Sequence, residues 1–339
     1  MHLGIVKMIG RRILIALPIL GVVSVLLFVV LRLLPVDPAA MSMAPNATLE
    51  EIAAKRIEMG LDRSLPEQYA IWIGRVLQGD FGTSSHFRRP VIGLVVETLP
   101  QTIELVALGI VVATVLGLAG GLWMFHVRGT YQEPLVDFGS TLLMSIPEFL
   151  WALFFILLFG VALELLPFVG RLSATYSRPN ATGFLLFDAL AVGRIDIFLD
   201  ALRHMVLPAL ALGIAFAPSI MRVLRSSLLD VYHEDYIHQA RLRGIPERTL
   251  LTRHALKNAI LPTLSLMGVQ FGFMFGGTLL VEVIYSYPGM GNLMVDAVRN
   301  ADLPIIQAVG LTYAAIVLVI NTVVDALYLV LNPKLRAAA

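Results

Sequence analysis

The residues of this chain best able to do chemistry are few and unevenly placed. Between 235 and 262 the sequence reads DYIHQARLRGIPERTLLTRHALKNAILP, with Arg241, Arg243, Arg248, Arg253 and Lys257 set between two apolar runs. Such a cluster could meet a phosphate backbone, a lipid headgroup or another protein. Acids at Asp230, Glu234, Asp235 and Glu247 interrupt it and no aromatic platform accompanies it, so nucleic acid is a poor match and is not expected as a partner. His233, His238 and His254 have no carboxylate at ligand spacing, so they read as solvated side chains and no metal is expected. The chain has no cysteine, which removes thiolate ligands and cysteine nucleophiles. Walker A, HExxH and GxSxG patterns are absent from the sequence, so no enzyme activity and no cofactor of its own are expected.

A second group of candidates is acidic and lies in apolar surroundings: Glu104, Glu148 just after Pro147, and Asp325. A charge inside a bilayer costs a few kcal/mol even on insertion scales, so each must face a partner or a wet cavity. Lining a pathway and making a satisfied structural hydrogen bond are both open for all three. Arg32 and Glu282 lie nearer the ends of apolar runs and are expected to snorkel to the interface.

The elements that would position these groups follow from composition. Of 339 residues 58% are hydrophobic and 14% charged, and the mean hydropathy is +0.82; a soluble domain carries about 25% charged residues. An all-α integral membrane protein is the expected class. Six segments can cross about 30 Å of hydrocarbon, near 12–34, 101–125, 138–163, 204–226, 262–284 and 305–331. The apolar run from Ile13 to Leu31 is too long for the hydrophobic region of a signal peptide and reads as an anchor. Lys and Arg are denser in the N-terminus, the loops after spans 2 and 4 and the C-terminus than in the opposite loops. That asymmetry places both termini and the basic loop in the cytoplasm.

Between the first two spans, LEEIAAKRIEMGLDRSLPEQYAIWIGRVL spaces Ile52, Ile57 and Leu61, then Tyr69, Trp72 and Val76, as helix faces. These read as amphipathic extracytoplasmic helices that cap the bundle. The outer loop near 164–203 reads as irregular. Stripes of small residues at Gly109, Ala113, Gly117 and Gly121, and at Gly268, Gly272 and Gly276, are read as helix-packing surfaces, within the chain or against a second subunit.

The basic loop has its own punctuation. Gly244 suits a left-handed helix C-terminus with Arg241 and Arg243 in the last turn. Pro246 and Glu247 suit the start of a second helix, running to Leu261, with Pro262 opening span 5. The expected product is a cytoplasmic helix–turn–helix knob fit for a partner's groove.

These residues carry a resemblance. QARLRGIPERTLLTRHALKNAILP resembles the cytoplasmic EAA loop of permease subunits in bacterial ABC importers, E-A-A…G…I-x-L-P, with His238, Gln239 and Ala240 at its first three positions and Gly244 at the matching glycine. The altered first two positions and the longer run to Pro262 resemble the dipeptide/oligopeptide branch. RRILIALPILGVVSVLLFVVLRLLPVDPA (Val36 replacing the branch's usual Gly), GLDRSLPEQYAIWIGRVLQGDFGTS, VEVIYSYPGMGNLMVDAVRNADLPIIQA and NTVVDALYLVLNPKLR are similar to that branch as well. The resemblance implies a type I ABC importer permease fold in the bacterial inner membrane: anchor and outer loop over 1–97, a permease domain over 98–331 with a coupling loop at 227–262, and a tail at 332–339. It implies a second homologous permease subunit, two ATP-binding cassette ATPases that bind ATP-Mg, an extracytoplasmic solute-binding protein, and membrane lipid. By position, Ala240, Arg241, Gly244, Ile245 and Pro246 are implied to make the ATPase-coupling contact, with Arg253, His254 and Lys257 bracing it. Di- or oligopeptides are the implied solute; glutathione, nickel chelates and oligosaccharides remain open, as do an ion-gradient-driven carrier using the three carboxylates and, more remotely, a membrane enzyme.

Overall fold

The computed structural model describes residues 2–33, 37–43, 47–58, 60–179 and 181–331. The expected tail at 332–339 and the exit from the first span at Val36 lie outside the described residues. Apart from one isolated bridge between Thr83 and Pro90, the described residues form no β-structure.

The chain begins with α1 (His2–Arg32), followed outside the bundle by α2 (Pro38–Ser42), α3 (Leu49–Glu58) and α4 (Leu65–Leu77). Ser64 and Glu67 form a capping box at the start of α4, which satisfies two of the free amides of its first turn. Tyr69 and Trp72 of α4 pack their rings 5.5 and 5.6 Å from Phe28 of α1, and Ser24 and the Tyr69 hydroxyl share a 2.7 Å hydrogen bond. The expected cap is therefore seated on the first span through α4, while Ile57 of α3 stays exposed.

Five helices among the described residues are long and apolar enough to cross a membrane, over Gly10–Arg32, Val91–His126, Ile195–Tyr232, Glu247–Ile284 and Leu303–Ala326. They belong to α1, α5 (Val91–His126), α9 (Ile195–Tyr232), the continuous run of α11 (Glu247–Thr249) and α12 (Leu256–Ile284), and α14 (Leu303–Leu331). The expected third span is not one rod. It is α6 (Glu133–Ser145) and α7 (Glu148–Phe155), the latter prolonged by a π-helical stretch over Ile156–Ala162, with a 97° bend between the halves. Pro147 explains the break: it disfavours helical geometry at the preceding residue, and Ile146 is extended at φ −99°, ψ 117°. Counting that pair as one crossing gives six.

The outer loop near 164–203 is more ordered than expected. It contains α8 (Leu185–Ala191), and its last part, from Ile195, is already the outer end of α9. Asp188 shapes the turn before it, accepting hydrogen bonds from the amides of Ala181, Thr182 and Gly183 and the Thr182 hydroxyl.

The largest core joins α5, α7, α9 and α12 through Leu105, Phe155, Leu212, Ile220, Phe271 and Met274. The glycine stripe of α5 faces α9 and α12: a Cβ at Gly117 would stand 2.6 Å from Ile220, and one at Gly121 would stand 2.9 Å from the Met221 carbonyl oxygen. At Gly109 it would crowd Met274 and Leu212. The stripe is thus intrachain packing. On α12, Gly268 and Gly272 face Val324 and Val317 of α14, whereas a Cβ at Gly276 would meet nothing within 4 Å, so the third member packs on no neighbour within the described residues. Gly117→Leu is expected to destabilise the fold by about 1–3 kcal/mol through overpacking, read as a lowered melting temperature of the purified protein, whereas Gly276→Ala, which has room for its methyl in a helical backbone, should raise that melting temperature slightly.

Candidate functional site

Between α9 and α12 the chain makes a tight elbow. α10 (Asp235–Leu242) ends in two bonds, from the Gly244 amide to the Arg241 carbonyl at 3.0 Å and from the Ile245 amide to the Ala240 carbonyl at 3.3 Å. This is the Schellman pattern, which requires a left-handed residue at the turn. Gly244 supplies it at φ +75°. Pro246 then caps α11.

One expectation needs correction here. The second arm of the elbow is not a separate helix ending before Pro262. From Glu247 the chain runs through α11 and a π-helical stretch at Leu250–Ala255 into α12, with Pro262 inside that helix. Pro262 costs one backbone bond, which neighbouring groups in a bundle can tolerate. The elbow is therefore rigidly continuous with a membrane span.

Its anchoring is apolar. Ile237, Ala240, Leu250, Ala255 and Ala259 are buried with Phe125 of α5 and Leu224 and Leu228 of α9, and Ile245 packs on them. Arg241 is exposed and hydrogen-bonds Glu247 across the turn at 2.6 Å; that bond raises its guanidinium further above its ordinary pKa. Arg128 stacks 3.6 Å from the Phe125 ring centroid and 5.2 Å from that of Tyr232, a cation–π arrangement. The side-chain amide of Asn258 donates to the Tyr236 hydroxyl at 2.7 Å. Bracing therefore comes from Glu247, Arg128, Tyr232, Tyr236 and Asn258, which sequence reasoning missed. The available signal was the pair of tyrosines, Tyr232 and Tyr236, facing the loop. Arg253, His254 and Lys257 make no side-chain hydrogen bond or ion pair among the described residues. Arg253 and Lys257, with Arg243 and Arg248, stand exposed.

The carboxylates lie away from the elbow, and two of them, Glu104 and Glu282, both stand near the buried Tyr287. Glu104 is buried, paired with Arg171 and accepting the Leu186 amide at 2.9 Å. Asp325 pairs with Arg12, joining α14 to α1. Glu148 is half-buried in the first turn after the break. Glu282 does not snorkel: it is fully buried and accepts from the Thr102 hydroxyl at 2.6 Å and the Gly291 and Asn292 amides at 2.7 and 3.1 Å. It thereby fixes the start of α13 (Met290–Arg299). Among the described residues no group of three potential ligands could hold a metal ion.

A bundle of apolar spans, one of them broken, with a rigid elbow emerging between two others, defines a permease-type membrane subunit. The chain belongs to the family of binding-protein-dependent transport system inner membrane components, whose model matches residues 106–337; the model for the N-terminal part of such components matches residues 5–110. It is a permease subunit of an ABC importer. Among its relatives, the di/tripeptide transport system permease protein DppB of Pseudomonas aeruginosa is 36% identical over 329 residues, covering 97% of this chain and 98% of that protein. The glutathione transport system permease protein GsiC of Shigella flexneri is 35% identical over 326 residues, covering 96% and 97%. The fold matches a structure of the inward-facing MetNI methionine ABC transporter with a TM-score of 0.55 at 14% identity, over 70% of this chain and 96% of that one.

Proposed function

We propose that this chain forms half of the pathway of an ATP-driven importer of di- or oligopeptides, working by alternating access. The observation that carries the reading is the elbow at Gly244: a capped, apolar-anchored knob continuous with α12 suits a groove on an ATPase, and can pass that subunit's motion to a span. Arg241, Gly244 and Pro246, exposed at the turn, form the coupling contact over Ala240 and Ile245, which anchor it from beneath, and the exposed Arg243, Arg248, Arg253 and Lys257 turn positive charge toward it. A second homologous permease subunit, two ATP-binding cassette ATPases holding ATP-Mg and an extracytoplasmic solute-binding protein complete the assembly. The chain itself holds no cofactor and hydrolyses nothing.

The orientation follows from the density of basic residues, with both termini and the elbow in the cytoplasm. Residues 1–97 serve as anchor and extracytoplasmic cap, and 98–331 as the permease domain. Of the three carboxylates, Glu148 faces the pathway, since Glu104 and Asp325 already have basic partners. A peptide solute is supported by the names of the relatives, two of which transport a di/tripeptide and glutathione.

Co-expression with a second permease subunit, ATPase subunits and a solute-binding protein tests this. The chain should co-purify with two ATPase subunits, and the assembly should hydrolyse ATP and take up a labelled dipeptide when its binding protein is added. The chain purified alone should show no hydrolysis. Dipeptide uptake by the chain alone under an ion gradient would overturn the reading.

A further inference from the structure

The side chains of Phe125, Arg128, Tyr232 and Arg241 form a single stack beside the elbow. The Arg128 guanidinium lies 3.6 Å from the Phe125 ring centroid and 5.2 Å from that of Tyr232, and the Arg241 guanidinium reaches the Tyr232 ring at 5.8 Å. The two rings meet edge to face with centroids 4.7 Å apart. Each guanidinium is also tied by a hydrogen bond: Arg128 donates to the Phe125 carbonyl at 2.7 Å, and Arg241 donates to Glu247 at 2.6 Å. The order Phe125, Arg128, Tyr232, Arg241, Glu247 therefore runs unbroken from the end of α5, across the end of α9, to both arms of the elbow.

This stack supplies what the buried apolar contacts cannot. Ile237, Ala240, Leu250 and Ala255 hold the arms against the bundle by burial, which has no preferred direction. A guanidinium over a ring face, hydrogen-bonded in its own plane, is fixed in distance and in tilt. Tyr232 is the last residue of α9, and Arg241 lies in the last turn of α10. The stack thus spans the joint at His233 and Glu234, where the chain turns from a membrane span into the first arm. Glu247, at its far end, opens α11 and the second arm. Arg128 and Tyr232 are half-buried. The Tyr232 hydroxyl makes no hydrogen bond among the described residues, so its ring is the part in use.

We propose that Arg128 and Tyr232 are positioning residues of the coupling elbow. They set the angle of α10 against α5 and α9, and with it the place where Gly244 and Pro246 meet an ATPase. The inference rests on the import reading above and adds to it a contact from the loop after α5, outside the elbow itself.

The chain has no cysteine, so spin labels on Trp123→Cys and Arg243→Cys, at two exposed positions, report how the elbow sits on α5 in the purified full-length chain. Their separation should be one narrow distribution. Tyr232→Leu and Arg128→Gln should each shift or broaden it, whereas Tyr232→Phe, which keeps the ring, should leave it unchanged. In the assembled transporter, Tyr232→Leu should lower dipeptide uptake per ATP hydrolysed roughly fivefold, the factor that one lost cation–π contact represents. Arg128→Gln should do the same, and the double variant should fall no further, because both changes break one stack. Losses that multiply in the double variant, an unchanged label separation in Tyr232→Leu, or a Tyr232→Phe variant as impaired as Tyr232→Leu would overturn the assignment. A lowered melting temperature or lost ATPase subunits, with the label separation unchanged, would make the stack a support of the fold and overturn it as well. Absent dipeptide uptake by the unmutated assembly speaks against a peptide solute, while the label separations still decide the positioning role.

Discussion

Gly244→Val should cut solute uptake roughly tenfold or more while the chain still inserts and assembles. At φ +75° the glycine occupies backbone space that a β-branched residue enters only at a cost of about 1–3 kcal/mol. A Cβ there would meet nothing within 4 Å, so crowding contributes nothing and the whole effect is conformational. The strain is relieved by opening the two bonds of the cap, which swings Ile245 and Pro246 away from their positions. Because the elbow is the proposed coupling contact, uptake should fall roughly tenfold or more, the factor that about 1.4 kcal/mol of misplacement represents. Gly244→Asn is the informative control, since asparagine tolerates the left-handed region and should retain most of the uptake. Equal uptake by the valine and unmutated proteins would remove the elbow from the mechanism.

Arg171→Ala should be the most damaging single change to stability outside the elbow. The side chains of Arg171 and Glu104 are 3% and 8% exposed, and removing one member of such a pair leaves a buried, uncompensated charge, a loss of about 3–5 kcal/mol. The same guanidinium also donates to the Gly183 carbonyl at 3.2 Å, so the outer loop should loosen from α5. Adding Glu104→Gln removes the stranded charge and should recover a large part of the lost melting temperature. If the double variant melts no higher than Arg171→Ala alone, the ion pair is not the source of the stability. Proteolysis of the loop around 171–183, faster in the single variant, gives an independent reading.

Much of this architecture was legible because hydropathy and punctuation act locally. The spans appear as apolar runs, and Gly244 with Pro246 announces a turn whatever surrounds it. What escaped depends on distance or on averaging. The broken third span was hidden because a window of mean hydropathy passes over Ser145 and Pro147, although the proline itself marked the break. The first turns of α9 resemble a loop in sequence because Asp196, Asp200 and Arg203 make them polar where the helix leaves hydrocarbon, and polarity there reflects solvent, not loss of helix. Glu282 was misjudged since its donors come from Thr102 on another span and from a helix start brought back by the chain. The glycines at 289 and 291, where a Cβ would stand 2.4 and 2.9 Å from its carboxyl oxygens, were the one local sign. The partner of Glu104 lies 67 residues away, and no periodicity reports such a pairing.

The length of α9 has a consequence for communication. Its 38 residues make a rod of about 57 Å at 1.5 Å per residue, nearly twice the roughly 30 Å of hydrocarbon. One tip carries Asp200, which holds the Ser173 amide and hydroxyl of the outer loop at 2.8 Å; the other leads through His233 into α10. Pro208 and Pro218 lie inside the rod, and each removes a backbone bond at which a helix can bend. Gly117 and Gly121 of α5 are packed hard against its flank, so a bend in α9 is shared with α5. On the proposed reading of the elbow, motion at one tip reaches the other through α9 and α5 moving as a pair.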